Sequence, residues 1–536
     1  MNAGCMMAPT ESIKHAAASL ATADKNDLSY ILRETTMSTD KADCGDISLL
    51  LKKMGEYLDR YQRFEHDDAM QQPAHWRDVL NQPVPQQGVG IEKLMEEIGM
   101  TLIPNGSQIP NPGCTSFITT GATNAGVLAN MAGAVAAPQR LGLTAFNYLE
   151  ELSLDWMAEM FELPSHMKGV YSSGGSVANL VALGAARQWV FEQRGSDPAR
   201  DGISHRCHIY TTRACHRTVH RAAAVLGLGR DSVIAIASDS MGRMLPNALM
   251  KQLDQDQRGD IVPVAIVANA GTTGTGAIDP LRLIGQLARQ YGVWFHVDGA
   301  YGLPGILDPK VRHLYDGLEL ADSVIVDPHK WLGAPVGIGA TFVRDRSILH
   351  RAFTQQASDY LEGSFADTKA EHSMDSSGVP YYDFGVELSA PSRGAVVWAL
   401  IREIGKEGLK ERICRHNDMA RYVAEQAHAH SNLEVVQEPT LSICCFRYVH
   451  DEWLDLDYLN QLIHRKMVHK GRSIPSTTLV NNKLAIRPCF VGARTSWQQA
   501  EELIEEVIAA GEQVAAKVCP VPQYCLLKNK NNKVAG

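Results

Sequence analysis

The chain is predicted to be an α/β protein. Its expected parts are a large domain with a mostly parallel sheet covered by helices on both faces, a smaller C-terminal α/β domain, and a helical N-terminal segment. Three observations predict it. Between 141 and about 345, short β-branched runs alternate with helical patterns, as a parallel sheet with crossover helices requires. After a strong helical pattern at 394–412, helix and strand patterns alternate again to 516. A chain of 536 residues is also too long for one small core. The divisions expected are 1–112, helical; 113–400, the large domain; 401–516, the small domain; and 517–536, a disordered polar tail.

The elements follow in order. Residues 1–45 are mixed and polar. Residues 46–103 carry apolar positions at helical spacing, among them Ile47, Leu50, Leu51, Met54 and Leu58, with a Pro/Gln-rich break at 83–88. The turn-rich stretch 104–114 reads as a connection. Strands are expected at 169–171, 207–211, 233–237, 262–268, 293–297, 323–326 and 338–343. Helices are expected between them at 149–161, 176–194, 217–227 and 280–291. Residues 346–392 include a long irregular segment, which inside a compact domain is functional or mobile. In the C-terminal part 441–447 and 483–490 are the clearest strands. No internal repeat is present.

Composition bounds the function. Hydrophobic residues make up 45% and charged residues 21%, the balance of a soluble globular protein. The net charge, 51 − 60 = −9, argues against nucleic acid or an anionic membrane as partner. The 11 cysteines include no Cys-x-x-Cys pair and no zinc-finger spacing, so no metal is expected and a reduced, cytoplasmic location is. The N-terminus has no basic region followed by an apolar run, so no signal peptide is expected, and the most apolar uncharged stretch, around 124–137, is too short to span a bilayer.

Two strand ends carry the chemistry. The run 323–326 is followed by Asp327-Pro328-His329-Lys330, and the run 293–297 by Asp298-Gly299-Ala300. A strand-end lysine with a strand-end acid is what a pyridoxal 5′-phosphate (PLP) enzyme needs. The lysine holds the aldehyde as a Schiff base, and the acid keeps the pyridine nitrogen protonated so that the ring draws electrons. Alone, Lys330 reads as a solvated lysine and Asp298 as a structural buried polar group; the pair is far more specific. Ala300 points the same way as Asp298 and is small enough to lie against a ring, or it simply packs.

Other segments supply what such a cofactor requires. Ser172-Ser173-Gly174-Gly175-Ser176 joins a strand to a helix, where glycines allow close approach and the helix N-terminus attracts phosphate. Its bland reading is a capped linker. His216 starts the helix after the 207–211 strand and can stack on the ring; His220 competes for that role, and a helix cap also explains it. Thr272 and Thr273 end another strand and can bond the cofactor hydroxyl or orient Asp298, with turn chemistry as rival. Arg487, on a C-terminal strand, is either a bidentate clamp for a substrate carboxylate or a structural arginine.

Together these segments resemble the group II PLP-dependent amino acid decarboxylases of fold type I, which include the aromatic amino acid, glutamate and diaminobutyrate enzymes. The resemblance covers roughly 90–515. It rests on Ser-Gly-Gly-Ser-x-Ala-Asn (173–179), Ala-Cys-His (214–216), Gly-Thr-Thr-x-x-Gly-x-x-Asp (271–279), His-Val-Asp-Gly-Ala-Tyr-Gly (296–302) and Asp-Pro-His-Lys-Trp (327–331). It implies Lys330 as the Schiff-base lysine, Asp298 at the ring nitrogen and His216 on the ring. It also implies Gly175, Ser176 and His329 near the phosphate. It further implies a tight homodimer with sites at the interface, and a mobile loop at 363–387 whose tyrosine returns a proton to Cα. Tyr381 is the best match for that tyrosine and Tyr382 the alternative; an anchor for the loop is the bland reading. Three departures stand out: Asp327 where the family often has Asn, Gly299 for a usual Ala, and Asn111-Pro-Gly-Cys in place of the aromatic pair of the substrate-facing segment.

The resulting expectation is α-decarboxylation of an L-amino acid to its primary amine. The alternatives are an aldehyde synthase or a transaminase of the same fold. A non-catalytic scaffold would have no use for both Lys330 and Asp298.

Overall fold

The β-branched runs form the strands they predict. In the structure, a computed structural model, residues 46–65, 74–138, 140, 144–354 and 379–517 are described. By its contacts the chain divides into two units, Met1–Ser107 and Gln108–Gly536.

The described part of the first unit is helical. Helices run over Ile47–Tyr61, Ala74–Leu80 and Ile91–Glu97, the last passing into a π-turn at Ile98–Leu102. The Asp46 side chain accepts from the Ser48 amide at 2.9 Å and so caps the first helix.

The second unit holds twelve strands among its described residues. In chain order they are β1 (Cys114–Thr115), β2 (Lys168–Ser172), β3 (Arg206–Thr212), β4 (Val233–Ile236), β5 (Ile261–Asn269) and β6 (Trp294–Asp298). Then come β7 (Ser323–Val326), β8 (Gly339–Val343), β9 (Leu433–Gln437), β10 (Cys445–Tyr448), β11 (Ile474–Val480) and β12 (Lys483–Arg487). The main sheet has the order β2-β8-β7-β6-β5-β3-β4. It is parallel from β7 to β4, while β8 runs antiparallel to both neighbours. Strands β6, β7 and β8 are buried at every position, which is why they read as continuous apolar runs and not as alternation.

The helix Gly175–Glu192 packs on β5, β6, β7 and β8. Its Ala- and Gly-rich face lets it sit close: Ala178, Ala182, Ala185 and Ala186 are fully buried. A Cβ on its Gly184 would lie 2.5 Å from the Phe353 ring. Register then sets the site. Asn269 pairs with Asp298, and Asp298 with Ile325, so β5, β6 and β7 end at one level. Thr273, Asp298, Ala300, His329 and Lys330 lie at or just after those carboxyl ends, where open α/β sheets bind ligands, while Gly175 and Ser176 follow β2 and His216 follows β3.

The second sheet has the order β1-β11-β12-β10-β9. Its edge strand β1 comes from near the start of the unit and pairs parallel to β11, Cys114 with Ile474. Neither β1 nor β11 was legible as a strand. The expected strand at 441–447 begins only at Cys445. Leu441 is spent otherwise: it is fully buried against Gly271, Gly302 and Gly305, whose missing side chains make room for it. The helical pattern at 394–412 extends over Arg393–Ala429 as two helices meeting at Gly405, whose φ of +68° interrupts the ladder.

Candidate active site

A cavity of about 280 Å³ opens at the carboxyl ends of β5, β6 and β7. Lys330, Asp298, Ala300, His216, Thr273 and His329 all line it, together with Gly175 and Ser176. Eight residues proposed from the sequence therefore meet in one place.

Asp298 ends β6 and is 7% exposed. Its Oδ2 accepts from Asn179 Nδ2 at 3.1 Å and its Oδ1 from the Ala300 amide at 3.2 Å. Each oxygen thus carries one donor and keeps acceptor capacity for a ligand. Asn179 is the junction of a longer network. Trp294 Nε1 donates to Ser323 Oγ at 2.8 Å, and Ser323 Oγ lies 2.9 Å from His296 Nδ1. His296 Nε2 lies 3.0 Å from Asn179 Oδ1, and Asn179 Nδ2 also donates to Thr218 Oγ1 at 3.0 Å. Thr218 Oγ1 lies 2.9 Å from His216 Nδ1. The donors fix the direction. Asn179 Oδ1 can only accept, so His296 donates from Nε2, and its neutral ring accepts the Ser323 hydroxyl proton at Nδ1. The Thr218 backbone amide donates to His216 Nδ1 at 3.4 Å, so Nδ1 is an acceptor and the proton of the neutral ring is on Nε2, free for a ligand.

Electrostatics agree with two neutral imidazoles. Burial, then the Lys330 charge, holds His216 below the usual histidine range. Burial pushes His296 down from 6.5 to about 4. The unfolded chain therefore takes up the His296 proton near 6.5 and the folded chain only near 4, so the stability this group contributes is present above 6.5 and lost as pH falls toward 4. Thermal melts between pH 7 and pH 4 are expected to show a falling midpoint, and His296→Asn is expected to flatten that part of the profile.

The residues present fit a pyridoxal phosphate. Gly174 has φ +112° and offers no side-chain cap, so the N-terminus of the helix Gly175–Glu192 faces the cavity with its amide donors. A Cβ on Gly174 would lie 3.1 Å from the His329 ring, and one on Gly175 would lie 2.5 Å from Asp327 Oδ2. His329 Nδ1 donates to the Ile338 carbonyl at 2.5 Å, which fixes its ring. Lys330 Nζ lies 3.0 Å from Asp327 Oδ2. Ala300 packs with Ala178, Ala182 and Ile325 and lines the cavity. Thr272 also lines the cavity, but its hydroxyl accepts from the Ala277 amide at 3.1 Å and meets Thr275 Oγ1 at 3.1 Å, which is turn chemistry.

Two expectations are corrected. Arg487 is 4% exposed and does not line the cavity. Its Nε donates to the Gly274 carbonyl at 3.2 Å, Nη1 to the Phe117 carbonyl at 2.7 Å and Ser476 Oγ at 3.1 Å, and Nη2 to the Thr273 carbonyl. A guanidinium spent on three carbonyls and a hydroxyl does not clamp a carboxylate; it ties the Thr273-Gly274 turn to β11 and to residue 117. Arg487→Ala is expected to cost about 3 kcal/mol of stability by stranding those carbonyls. Denaturant unfolding checks this, and a fully stable variant with only a raised KM would restore the clamp.

Tyr381 is fully buried and also lies outside the cavity lining. Its hydroxyl donates to Glu151, and the Arg140 and Arg346 guanidinium carbons each lie 5.6 Å from its ring centre. Burial and the Glu151 carboxylate raise its phenol far above the ordinary range. In this arrangement it is an anchor and not a proton donor to the cavity. Tyr382 is half-buried and does not line the cavity either. Most of the expected loop, residues 363–378, lies outside the described residues.

Asn179, Thr218, His296 and Ser323 were missed as site residues. Asn179 and His296 stand inside two of the motifs quoted above, which was the available signal; Thr218 and Ser323 had none.

Residues 73–449 match the family model described as the pyridoxal-dependent decarboxylase conserved domain. The chain is 28% identical over 453 residues to the aromatic-L-amino-acid decarboxylase of Bacillus atrophaeus, covering 82% of this chain and 89% of that protein. It is 28% identical over 437 residues to the L-2,4-diaminobutyrate decarboxylase of Rhizobium meliloti (strain 1021), covering 79% and 83%. The crystal structure of Oryza sativa TDC with PLP and tryptamine superposes with a TM-score of 0.79 at 23% identity, over 89% of this chain and 99% of that one.

Proposed function

The chain belongs to the pyridoxal-dependent decarboxylase family, and we propose that it removes the α-carboxylate of an L-amino acid through PLP held at Lys330. The observation that carries the residue assignment is that Lys330 and Asp298 line one cavity with an uncapped helix N-terminus. When bound, PLP supplies a carbonyl for amine capture and a pyridinium ring that accepts the electron pair left on Cα as CO2 departs.

The chain's own residues do the rest. The amides at Gly175 and Ser176, with the helix dipole, bind the phosphate end. Asp298, fixed by Asn179 and the Ala300 amide, keeps a proton on the ring nitrogen. His216 is held neutral with its Nε2 proton directed by Thr218, and it orients the ligand by a hydrogen bond or by stacking. Ala300, small and lining the cavity, would leave room for the ring, and His329 holds the turn that presents Lys330. Thr273 lines the same cavity, beside the cofactor hydroxyl in this reading.

We also infer a cytoplasmic homodimer. Buried thiols such as Cys207, Cys444, Cys445 and Cys489 support a reducing compartment. Among the described residues no helix is long and apolar enough to cross a membrane. Val336, at the cavity, is 84% exposed, and Phe117, Leu128, Val135 and Tyr148 are each more than half exposed. Apolar residues left bare in such number support a second copy as their cover. Light scattering on the purified protein tests the dimer.

The test of function is a panel of L-amino acids, aromatic, acidic and diamino, with amine and CO2 read by mass spectrometry. One amine appearing with matching CO2 is expected. CO2 with an aldehyde and hydrogen peroxide would make the protein an aldehyde synthase, and a keto acid without CO2 a transaminase.

A further inference from the structure

Asp327 puts a carboxylate where an anion-binding site is expected to be free of one. It follows β7, is 2% exposed and lines the cavity. Its Oδ2 lies 3.0 Å from Lys330 Nζ. Its Oδ1 is buried and has no hydrogen-bond partner among the described residues. Two glycines admit the group: a Cβ on Gly175 would stand 2.5 Å from Oδ2, and one on Gly339 would stand 2.8 Å from Oδ1. The carboxylate therefore lies against the first residue of the helix whose N-terminus is read as the phosphate cradle. It has not turned away from that cradle.

A phosphate dianion and a carboxylate in one buried pocket repel, so each makes the other harder to hold there. The charged or titratable groups facing Asp327 are Lys330, His329 with Nε2 at 4.0 Å, and His216, whose own titration feels both Asp327 and Lys330. Lys330 is the close cation. Before the cofactor arrives the pair is balanced; once the phosphate end is seated, Asp327 is one negative charge in excess.

We propose that Asp327 is a positioning residue that holds the Lys330 ammonium before PLP binds and, by its charge, weakens capture of the phosphate end. The inference rests on the PLP reading above. The probe is pyridoxine 5′-phosphate, which carries the phosphate but no aldehyde and so cannot condense with Lys330. Calorimetry on the full chain at pH 8 compares wild type with Asp327→Asn, the same shape without the charge, and uses pyridoxine, which lacks the phosphate, as control. Asp327→Asn is expected to bind the phosphate ligand about tenfold more tightly than wild type, and the two are expected to bind pyridoxine alike. Equal affinities for the phosphate ligand would overturn the inference, and so would an equal gain for pyridoxine. If wild type also fails to develop a visible PLP absorbance band, the PLP reading falls with it; a normal band with no Asp327 effect sinks the inference alone.

Discussion

Lys330→Ala is expected to lose essentially all turnover, roughly a thousandfold or more, which is about 4 kcal/mol of barrier. It is also expected to lose the visible band of lysine-bound PLP. Among the described residues Lys330 is the lysine that lines the cavity, and its backbone amide is tied to the Asp327 carbonyl at 2.9 Å, so the turn presents it at one place. The protein fold is expected to survive, because the Lys330 side chain is partly exposed and its loss removes one ion pair. Circular dichroism and the band are read together. A variant that keeps the band, or keeps a tenth of the activity, would move the attachment point elsewhere.

Asp298→Asn is expected to lower kcat by roughly a hundredfold to a thousandfold while leaving PLP bound. The amide keeps the shape and one acceptor, but it does not hold a proton on the ring nitrogen. Its NH2 group would also face the Asn179 Nδ2 or the Ala300 amide, both donors, so one of the two hydrogen bonds now made would be lost. The expected signature is a fall in kcat with a smaller change in KM, because the affected charge matters most as electrons enter the ring. An unchanged kcat would remove Asp298 from the ring nitrogen.

What was legible in the sequence was local. β6, β7 and the turn that follows each are short runs whose burial shows in composition, and Lys330, Asp298 and Ala300 are fixed by their place on those runs. The helix Gly175–Glu192 announces its own start with glycines. Arg487 and Tyr381 were different. Whether a strand-end arginine binds a substrate or a set of carbonyls depends on Phe117, Thr273 and Gly274, which are remote in sequence. Tyr381 likewise takes its role from Glu151, Arg140 and Arg346. Side chains defined by distant partners leave no periodicity to read. The same holds for β11, which has a mixed burial pattern, and for β1, two residues long, a strand only because Ile474 and Pro475 lie beside it.

That last pairing dictates an order of assembly. The residues around 114 leave the ribosome long before their partner strand, 358 residues separating Ser116 from Ile474. Ser116 Oγ waits for the Ile474 carbonyl, the Thr115 carbonyl for the Cys489 amide, and the Phe117 carbonyl for Arg487. Closing so long a loop carries an entropic cost that no nearby contact offsets until the last strands arrive. The segment 113–117 is therefore left without its native neighbours through most of translation, and it joins the structure late, after the main sheet has its own strands in hand. The seam between the chain's early and late residues is the last part of the unit to zip shut.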